Sequence, residues 1–176
     1  MEYDGQPQPV PVPPKIPGFL QSAHPLQADI PELPAEHWTT PDFYWNYGWP
    51  MSMDEVHAFQ RVYMPRHLLW QPNPSPVVAV AGVCTCVKTR SGWYAVRHVF
   101  VEPTETVNAL SGIATLDGRP GVSFFMLVST ANEYYFRTRP SKEQMAVLKR
   151  LFGKEPCWMK DAVEKKLWHE YYDHDV

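Results

Sequence analysis

The sequence predicts an α+β fold, in which an antiparallel sheet of about five strands (roughly 77–139) is packed by helices and preceded by a proline-rich N-terminal extension. Three observations predict it. Within 77–139, apolar and polar residues alternate as in strands, and turn residues separate the runs. On either side, the apolar period is helical, near residues 52–63, 141–152 and 160–172. Most of the nineteen prolines lie in the N-terminal part of the chain.

The extension is dense in proline. Residues 7–17 read PQPVPVPPKIP, which favours polyproline II. Pro11 and Pro14 each begin a PxxP spacing, which SH3 and WW domains bind; a plain surface arm is the alternative. The chain is therefore divided into an extended arm, residues 1–36, and a single α+β domain, residues 37–176.

An aromatic-rich leader opens the domain. So much ring area favours burial. Two interpretations stay open: a lid wrapped over the core, or a ligand site. In the second, the pocket walls are Trp38, Tyr44, Trp45 and Tyr47.

The first helix has a clear start. Ser52 and Glu55 have the spacing of a capping box, and Val56, Phe59 and Tyr63 then form one apolar face. This predicts a helix over residues 52–63.

The strands are predicted from β-rich runs between turn residues. Residues 77–90 and 93–102 form a first hairpin across Ser91-Gly92. Residues 122–129 and 133–139 form a closing hairpin. A weaker strand is expected at 112–116.

Two helices follow the sheet. Ser141 is the N-cap of the first, Gln144 reaches back to it, and Gly153 suits the left-handed C′ position. The second is predicted over 160–172, where Asp161 and Lys165 form an i,i+4 pair.

A basic and aromatic face is predicted on the last strand. Alternation places Tyr135, Arg137 and Arg139 on one side of the sheet. Such a face can stack a base and hold phosphates, as in RNA binding, or it can contact solvent or a protein partner.

The net charge of −3 is unevenly distributed. Residues 1–60 carry eight acidic side chains and one lysine, whereas residues 61–160 carry thirteen basic and six acidic ones. We expect acidic side chains of the leader to lie near basic ones of the body. The acidic residues are Asp29, Glu32, Glu36 and Asp42, and the basic ones Arg137, Arg139 and Lys142.

Several classes of protein are disfavoured. No apolar run reaches the length of a membrane helix, no signal peptide is evident, and three cysteines are too few for a disulfide scaffold, so an intracellular location, cytoplasmic or nuclear, is expected. No nucleophile elbow, phosphate-binding loop or zinc motif is present. The sequence predicts no catalytic residue, metal site or cofactor.

One family resemblance concerns residues 77–153. The runs GWYAVRHVFV and FFMLVSTANEYYFRTRPSKEQMAVLKRLF resemble the first hairpin and the closing hairpin and helix of pleckstrin-homology domains. The resemblance implies anion binding by basic residues of the first hairpin, here Lys88, Arg90 and Arg97. That family has seven strands and a tryptophan in its closing helix, where Phe152 stands here.

The sequence favours a non-enzymatic module that docks a protein partner through the proline-rich arm and the basic and aromatic sheet face. A binder of an anionic ligand, either a phosphoinositide or RNA, is one alternative. A small α+β enzyme with an aromatic-walled pocket is the other, and His98 would then be its base.

Overall fold

A computed structural model describes residues 27–64, 75–105 and 121–172 of the chain. A short 3-10 helix, Ala35–Thr39, precedes the first strand. The elements that follow are β1 (Phe43–Met51), α1 (Met53–Tyr63), α2 (Pro76–Ser91), β2 (Arg97–Val101), β3 (Val122–Ser129), α3 (Glu133–Arg137), α4 (Lys142–Phe152), β4 (Cys157–Glu164) and α5 (Lys165–Tyr172).

The strands form an antiparallel sheet, as predicted, but there are four of them in the described residues and they close into a barrel in the order β1-β3-β2-β4. β1 pairs with β3 on one side and with β4 on the other. The barrel closes between β2 and β4, where Val101 pairs with Asp161 and the Glu102 amide donates to the Lys160 carbonyl at 2.9 Å. This last junction is short, and we call it the seam.

A β-bulge in β1 depends on a glycine. The register of β1 against β3 shifts between Tyr47 and Gly48. A Cβ atom at Gly48 would lie 2.0 Å from the carbonyl oxygen of Phe125. Only glycine lets the two backbones approach this closely.

Two apolar clusters stabilise the fold. The smaller one, which includes Val99, Phe124 and Met126, fills the barrel. Residues that alternate with these, such as Phe125 and Leu127, point outward and pack against α1, α2 and α4. The helices therefore cover the outer face of the sheet around β1 and β3.

The first predicted hairpin is wrong. Residues 77–90 lie in helix α2, which begins after the N-cap Ser75, with Pro76 in its first turn, and ends at Gly92 in the left-handed conformation. Val80, Val83 and Val87, which suggested a strand, are instead buried in the larger apolar cluster, whereas Val77 and Val78 are exposed. The hairpin implied by the resemblance to pleckstrin-homology domains is therefore not formed.

The closing hairpin is also wrong. β3 covers 122–129 as predicted, but the predicted strand 133–139 is replaced by the short helix α3. The Asn132 side chain caps α3 by accepting from the amide of Tyr135 at 2.9 Å. Tyr135, Arg137 and Arg139 therefore do not share a sheet face.

The flanking helices are partly confirmed. α1 and α4 have the predicted capping boxes, Ser52 with Glu55 and Ser141 with Gln144. The predicted helix 160–172 is wrong in its first part, because β4 continues to Glu164 and only α5 is helical.

The aromatic leader is not a lid, because most of it is strand β1, at the centre of the sheet. The end of the predicted arm is tied to the domain, since the Ala28 amide donates to the Pro140 carbonyl at 2.9 Å. The predicted strand 112–116 and the proline-rich residues 7–17 lie outside the described residues. The division of the chain at residue 36 stays a prediction.

Candidate functional site

A cleft of about 600 Å³ lies between α2 and β2. α2 forms one wall and β2 with the start of β3 forms the floor. Trp168 and Tyr172 of α5 form a second wall. The cleft therefore joins three elements that are distant in sequence.

The floor of the cleft carries two polar side chains. Ser123 pairs with Phe100, and His98 pairs with Phe125, so both side chains are on the outer face of the barrel. The Nε2 atom of His98 and the Oγ atom of Ser123 are shielded from solvent and have no hydrogen-bond partner among the described residues. Buried polar atoms are almost always paired, so these two need an explanation.

The imidazole of His98 is neutral at neutral pH. Burial lowers its pKa to about 4. Its ring makes edge contacts with Phe100 and Phe125, at centroid distances of 4.9 and 5.8 Å. A neutral imidazole has one donor and one acceptor nitrogen, and the Ser123 hydroxyl has both functions, so the floor can bind a polar group of either kind.

Two cations border the same cleft: Lys88 from α2, and Arg97 at the start of β2, whose side chain leaves the strand on the face opposite to His98. The guanidinium of Arg97 lies 4.8 Å from the ring centroid of Tyr135 on α3, a cation–π contact. Among the described residues, no acidic side chain lines the cleft. The cleft is therefore electropositive.

The α2 wall is mainly apolar. Residues 76–84, the first part of α2, are apolar on all sides of the helix, a pattern typical of a helix that is covered all round. Val83 and Val87 are buried in the core, whereas Val77 is 79% exposed and lines the cleft together with Ala81. An apolar ligand would cover this side.

The α5 wall is held by one carboxylate. Asp161 on β4 is fully buried, and its Oδ2 accepts from Asn46 Nδ2 at 2.9 Å and from Trp168 Nε1 at 3.1 Å. Its Oδ1 accepts from the Val163 amide at 2.8 Å. The Tyr172 hydroxyl also bonds to this carboxylate. These bonds fasten α5 to the barrel.

Burial raises the pKa of Asp161 to about 6, and the four hydrogen bonds only partly oppose the rise. The sequence predicts only an i,i+4 pair of Asp161 with Lys165 and not this network. The sequence signal for this network is that Asp161 alternates with the apolar residues Met159 and Val163, as an acid on the buried face of a strand would.

Among the predicted site residues, three meet at or beside the cleft. Lys88 and Arg97 line it, and Tyr135 supports Arg97. Arg90 lies elsewhere, because its guanidinium stacks on Tyr63 and donates to the Tyr63 carbonyl at 2.9 Å.

The two arginines of the predicted ladder have separate local partners. Arg137 pairs with Glu133 at 2.8 Å, and both side chains are about half exposed. The guanidinium of Arg139 lies 5.1 Å from the ring centroid of Phe136. Burial lowers the pKa of Arg139, and the charge of Asp29 opposes this shift. Asp29 and Arg139 therefore interact electrostatically, and they are one of the predicted pairs between an acidic residue of the leader and a basic residue of the body.

The four predicted pocket walls do not line this cleft. Trp38 is exposed and packs on His37, Tyr44 contacts Trp168, and Tyr47 contacts Trp158. The indole of Trp45 donates to the Thr40 hydroxyl at 3.0 Å. Pro11 and Pro14 lie outside the described residues.

The sequence interpretation missed two cleft residues. Ser123 is one of two hydroxyl residues, with Ser129, in an otherwise apolar strand, and Thr85 falls within a predicted strand. Ser123 could have been identified from the sequence, because a polar residue inside a fully buried strand needs a hydrogen-bond partner.

Comparison of the chain with protein-family models, with curated proteins and with solved structures gave no match. In the described part of the chain, no helix is long and apolar enough to cross a membrane. The same residues contain no group of three or more histidine, cysteine or acidic side chains placed to bind a metal ion.

Proposed function

We propose that this protein binds a small amphiphilic anion in the cleft between α2 and β2. The ligand has an apolar body and one carboxylate, sulfonate or phosphate group. The observation that carries this proposal is the pair of shielded, unpartnered atoms on the floor, His98 Nε2 and Ser123 Oγ, beside two cations. A ligand that moves the covering side chains aside would supply the missing hydrogen-bond partners.

Each part of the cleft suits one part of such a ligand. The exposed face of α2, with Val77 and Ala81, covers the apolar body. Lys88 and Arg97 attract the acidic group, and Arg97 is already oriented by Tyr135. The floor, formed by the neutral His98 and by Ser123, then hydrogen-bonds a polar group of the ligand and adds no charge of its own.

Of the functions that the sequence suggests, this proposal takes up the binder of an anionic ligand, and it specifies that ligand as a small molecule. It uses Lys88 and Arg97 of the predicted binding residues but not Arg90. Docking of a protein partner stays a prediction for the proline-rich arm alone, because the sheet face on which it relied is not formed.

A pair of dyes tests the proposal. Anilinonaphthalene sulfonate has an apolar body and an anionic group, and phenylnaphthylamine has a similar body without the charge. We expect the folded protein to bind the sulfonate at least about tenfold more tightly, as measured by fluorescence titration, because the cations favour the charged dye. Equal affinity for both dyes would contradict the electrostatic part of the proposal.

A matched pair of charge reversals locates the binding. Lys88→Glu should weaken binding of the sulfonate about tenfold, with little change for the neutral dye. Arg150→Glu is the control, because both residues lie in the last turn of a helix, α2 and α4, and Arg150 does not line the cleft. Equal effects of the two changes would show that net charge alone attracts the dye.

A further inference from the structure

Residues 29–34 cross the surface beside Trp158 as an extended segment, which we call the strap. Its sequence is DIPELP, and it contains no helix or strand. The ring of each proline fixes its own φ angle, and each proline also restrains the residue before it to extended conformations. Pro34 has φ −57° and ψ 149°, which are polyproline II values. The sequence of the strap therefore favours polyproline II.

The burial of the strap follows this conformation. A polyproline II helix has three residues per turn, so residues three apart lie on the same face. Ile30 and Leu33 are partly buried and pack against the larger apolar cluster. Pro31 and Glu32, which lie between them, are exposed. One face of the strap is therefore bound to the domain, as the face of a peptide ligand would be.

An aromatic side chain of β4 makes a polar contact with the strap. The indole Nε1 of Trp158 donates to the carbonyl oxygen of Pro31 at 2.8 Å. The ring of Tyr47 on β1 supports the indole at a centroid distance of 5.3 Å. A polyproline II segment has no internal hydrogen bonds, so its carbonyls are open to such a donor, and aromatic surfaces bind proline-rich peptides in this conformation. The domain thus presents the chemistry of a peptide-binding site to the strap.

A basic residue lies at the other end of this surface. Gln27 pairs with Ser141 in an isolated antiparallel bridge. The same register places Asp29 opposite Arg139, two residues further along each segment, and the two residues interact electrostatically. We call the surface between Arg139 and Trp158 the strap site. It fits an extended segment in which an acidic residue precedes two apolar residues spaced three apart.

The strap is held by few bonds. Among the described residues, the backbone of residues 29–33 makes one hydrogen bond, which is the one to Trp158. Trp158 itself is only partly buried. Segments with few backbone hydrogen bonds and exposed contacts open at a small fraction of the free energy of unfolding. A second segment of the same chemistry can therefore replace the strap while the barrel stays folded.

We propose that the strap site binds a proline-rich segment of another protein, and that the strap occupies the site until such a segment displaces it. The ligand has an acidic residue followed by the spacing apolar-Pro-x-apolar-Pro, as in the strap itself. Neither Trp158 nor Arg139 lines the cleft between α2 and β2, so this inference does not rest on the proposed function.

The proline-rich arm of this chain has only part of the ligand pattern. Residues 10–14 read VPVPP and repeat the spacing, with prolines at the second and fifth positions. However, Pro9 precedes them where the strap has Asp29. The arm therefore lacks the charge that Arg139 attracts, and this favours a segment of another protein as the ligand.

Peptide binding to a full-length chain with a weakened strap tests the proposal. The probe is a fluorescein-labelled peptide with the sequence of residues 28–35, ADIPELPA, and fluorescence anisotropy measures its affinity. Ile30→Ser combined with Leu33→Ser removes the apolar anchors of the strap, so the site is free for a larger fraction of the time. This double variant should bind the peptide at least about tenfold more tightly than wild type does. A folded double variant that does not bind the peptide would show that the strap is only part of the fold and would overturn the proposal.

A second measurement uses the wild-type chain, so it does not require any variant to fold. Unlabelled peptide is added to isotope-labelled protein up to about 5 mM, a concentration at which even a ligand with a millimolar Kd is mostly bound. The amide signals of Asp29 and Leu33 should move towards those of a free segment and reach saturation, while the signals of β3 stay unchanged. Strap signals that do not respond to the peptide would contradict displacement.

The role of the Trp158 indole is tested in the double variant. Trp158→Phe keeps an aromatic ring and removes the N–H donor, so the peptide should bind about fivefold more weakly. Trp38→Phe is the control, because Trp38 is exposed and its ring packs on His37. Equal losses of affinity from the two changes would show that the peptide does not bind at the strap site and would overturn the proposal.

The charge of the ligand distinguishes another protein from this chain's own arm. In the double variant, Arg139→Glu should weaken binding of ADIPELPA about tenfold, and a peptide with Asp29→Lys should then bind more tightly than ADIPELPA does. A peptide of residues 9–15, PVPVPPK, should bind the double variant with Arg139 intact at least about tenfold more weakly than ADIPELPA. Binding of the arm peptide that is as tight or tighter would assign the site to the arm and would overturn the assignment to another protein.

Discussion

The guanidinium of Arg97 lies 4.8 Å from the ring centroid of Tyr135, and this contact joins β2 to α3 at the edge of the cleft. The sequence had assigned the two residues to different surfaces. A guanidinium held over an aromatic ring loses less side-chain freedom on binding an anion, and its five N–H donors lie in the guanidinium plane, where a ligand can reach them.

Arg97 should therefore contribute to anion binding, whereas Arg137 should not. Arg97→Glu should weaken binding of anilinonaphthalene sulfonate about tenfold. Arg137→Glu makes the same change of charge but only breaks an exposed pair with Glu133, so both affinity and stability should change little, by less than about 0.5 kcal/mol. Fluorescence titration and urea unfolding measure the two effects. A larger loss of affinity from Arg137→Glu than from Arg97→Glu would place the binding surface at α3 and not at the cleft.

Loss of the Trp168 indole N–H should destabilise the fold more at neutral than at acidic pH. Trp168→Phe removes a donor to Asp161 and should lower the free energy of unfolding by about 2–4 kcal/mol. The loss should be smaller at about pH 5, where the acid is protonated and the bond is not charge-assisted. Trp38→Phe, at an exposed position, is the control, with an expected change below about 0.5 kcal/mol in urea unfolding. Equal losses at both pH values would contradict a charged partner.

The bulge in β1 should tolerate no side chain at residue 48. Gly48→Ala places a Cβ atom against the Phe125 carbonyl and should lower the free energy of unfolding by more than about 3 kcal/mol, or prevent folding. Gly153→Ala is the matched control, because it has a positive φ of 68° but open space around it, and should cost about 1 kcal/mol. Chemical denaturation measures both. A milder effect at residue 48 than at 153 would contradict the register of β1 against β3.

The pH dependence of stability should contain two opposing contributions. The folded-state pKa of Asp161, about 6, is above its ordinary value of 3.8, so this group's contribution to stability is present below pH 3.8 and is lost as pH rises to about 6. The pKa of His98, about 4, is below its ordinary value of 6.5, so its contribution is present above pH 6.5 and is lost as pH falls to about 4.

Single substitutions should reveal each contribution. Relative to wild type, Asp161→Asn should make stability rise more steeply with pH between about 4 and 6, and His98→Gln should make it fall more steeply, each by at most about 1.4 kcal/mol per pH unit. Urea unfolding at several pH values measures this. Changes of slope in the same direction for both variants would contradict the assigned shifts.

The parts of the fold that the sequence predicts best are fixed by neighbouring residues. The capping boxes at Ser52 and Ser141 each involve a partner three residues away, so the starts of α1 and α4 can be read directly. β3 is also predicted, because a mostly apolar run between turn residues is typical of a strand that is buried on both faces.

Helix α2 was mistaken for a strand because two local signals conflict. Its valines favour strands, while Ser75 followed by Pro76 is a helix start. Contacts decide the outcome, since α2 packs against α1, where Gln60 Nε2 donates to the Ala79 carbonyl at 3.1 Å and would lie 3.2 Å from a Cβ atom at Gly82. Such packing involves residues far apart in the sequence and is not visible from the valines alone.

Most of the site could not be predicted from the sequence either, because it too depends on contacts between residues that are far apart in the chain. β4 pairs with β1 across more than a hundred residues, Asn46 with Asp161 being one contact at a sequence separation of 115. Lys88 and Arg97 were identified as anion-binding residues, but through a hairpin that is not formed. The sequence suggests His98 as a structural residue or, in the enzyme alternative, as a base, and its meeting with Ser123 follows from the register of β2 against β3.

The measurement that tests the central claim most directly is dye binding to two tryptophan variants one helical turn apart. Thr85 and Thr89 both lie on exposed positions of α2 and both donate to the carbonyl four residues earlier, at 3.0 and 2.9 Å, but only Thr85 lines the cleft. Thr85→Trp should fill the cleft and reduce the affinity for anilinonaphthalene sulfonate at least about tenfold, whereas Thr89→Trp should leave it unchanged. Equal affinity in both variants, each folded as well as wild type, would show that the cleft between α2 and β2 is not the binding site.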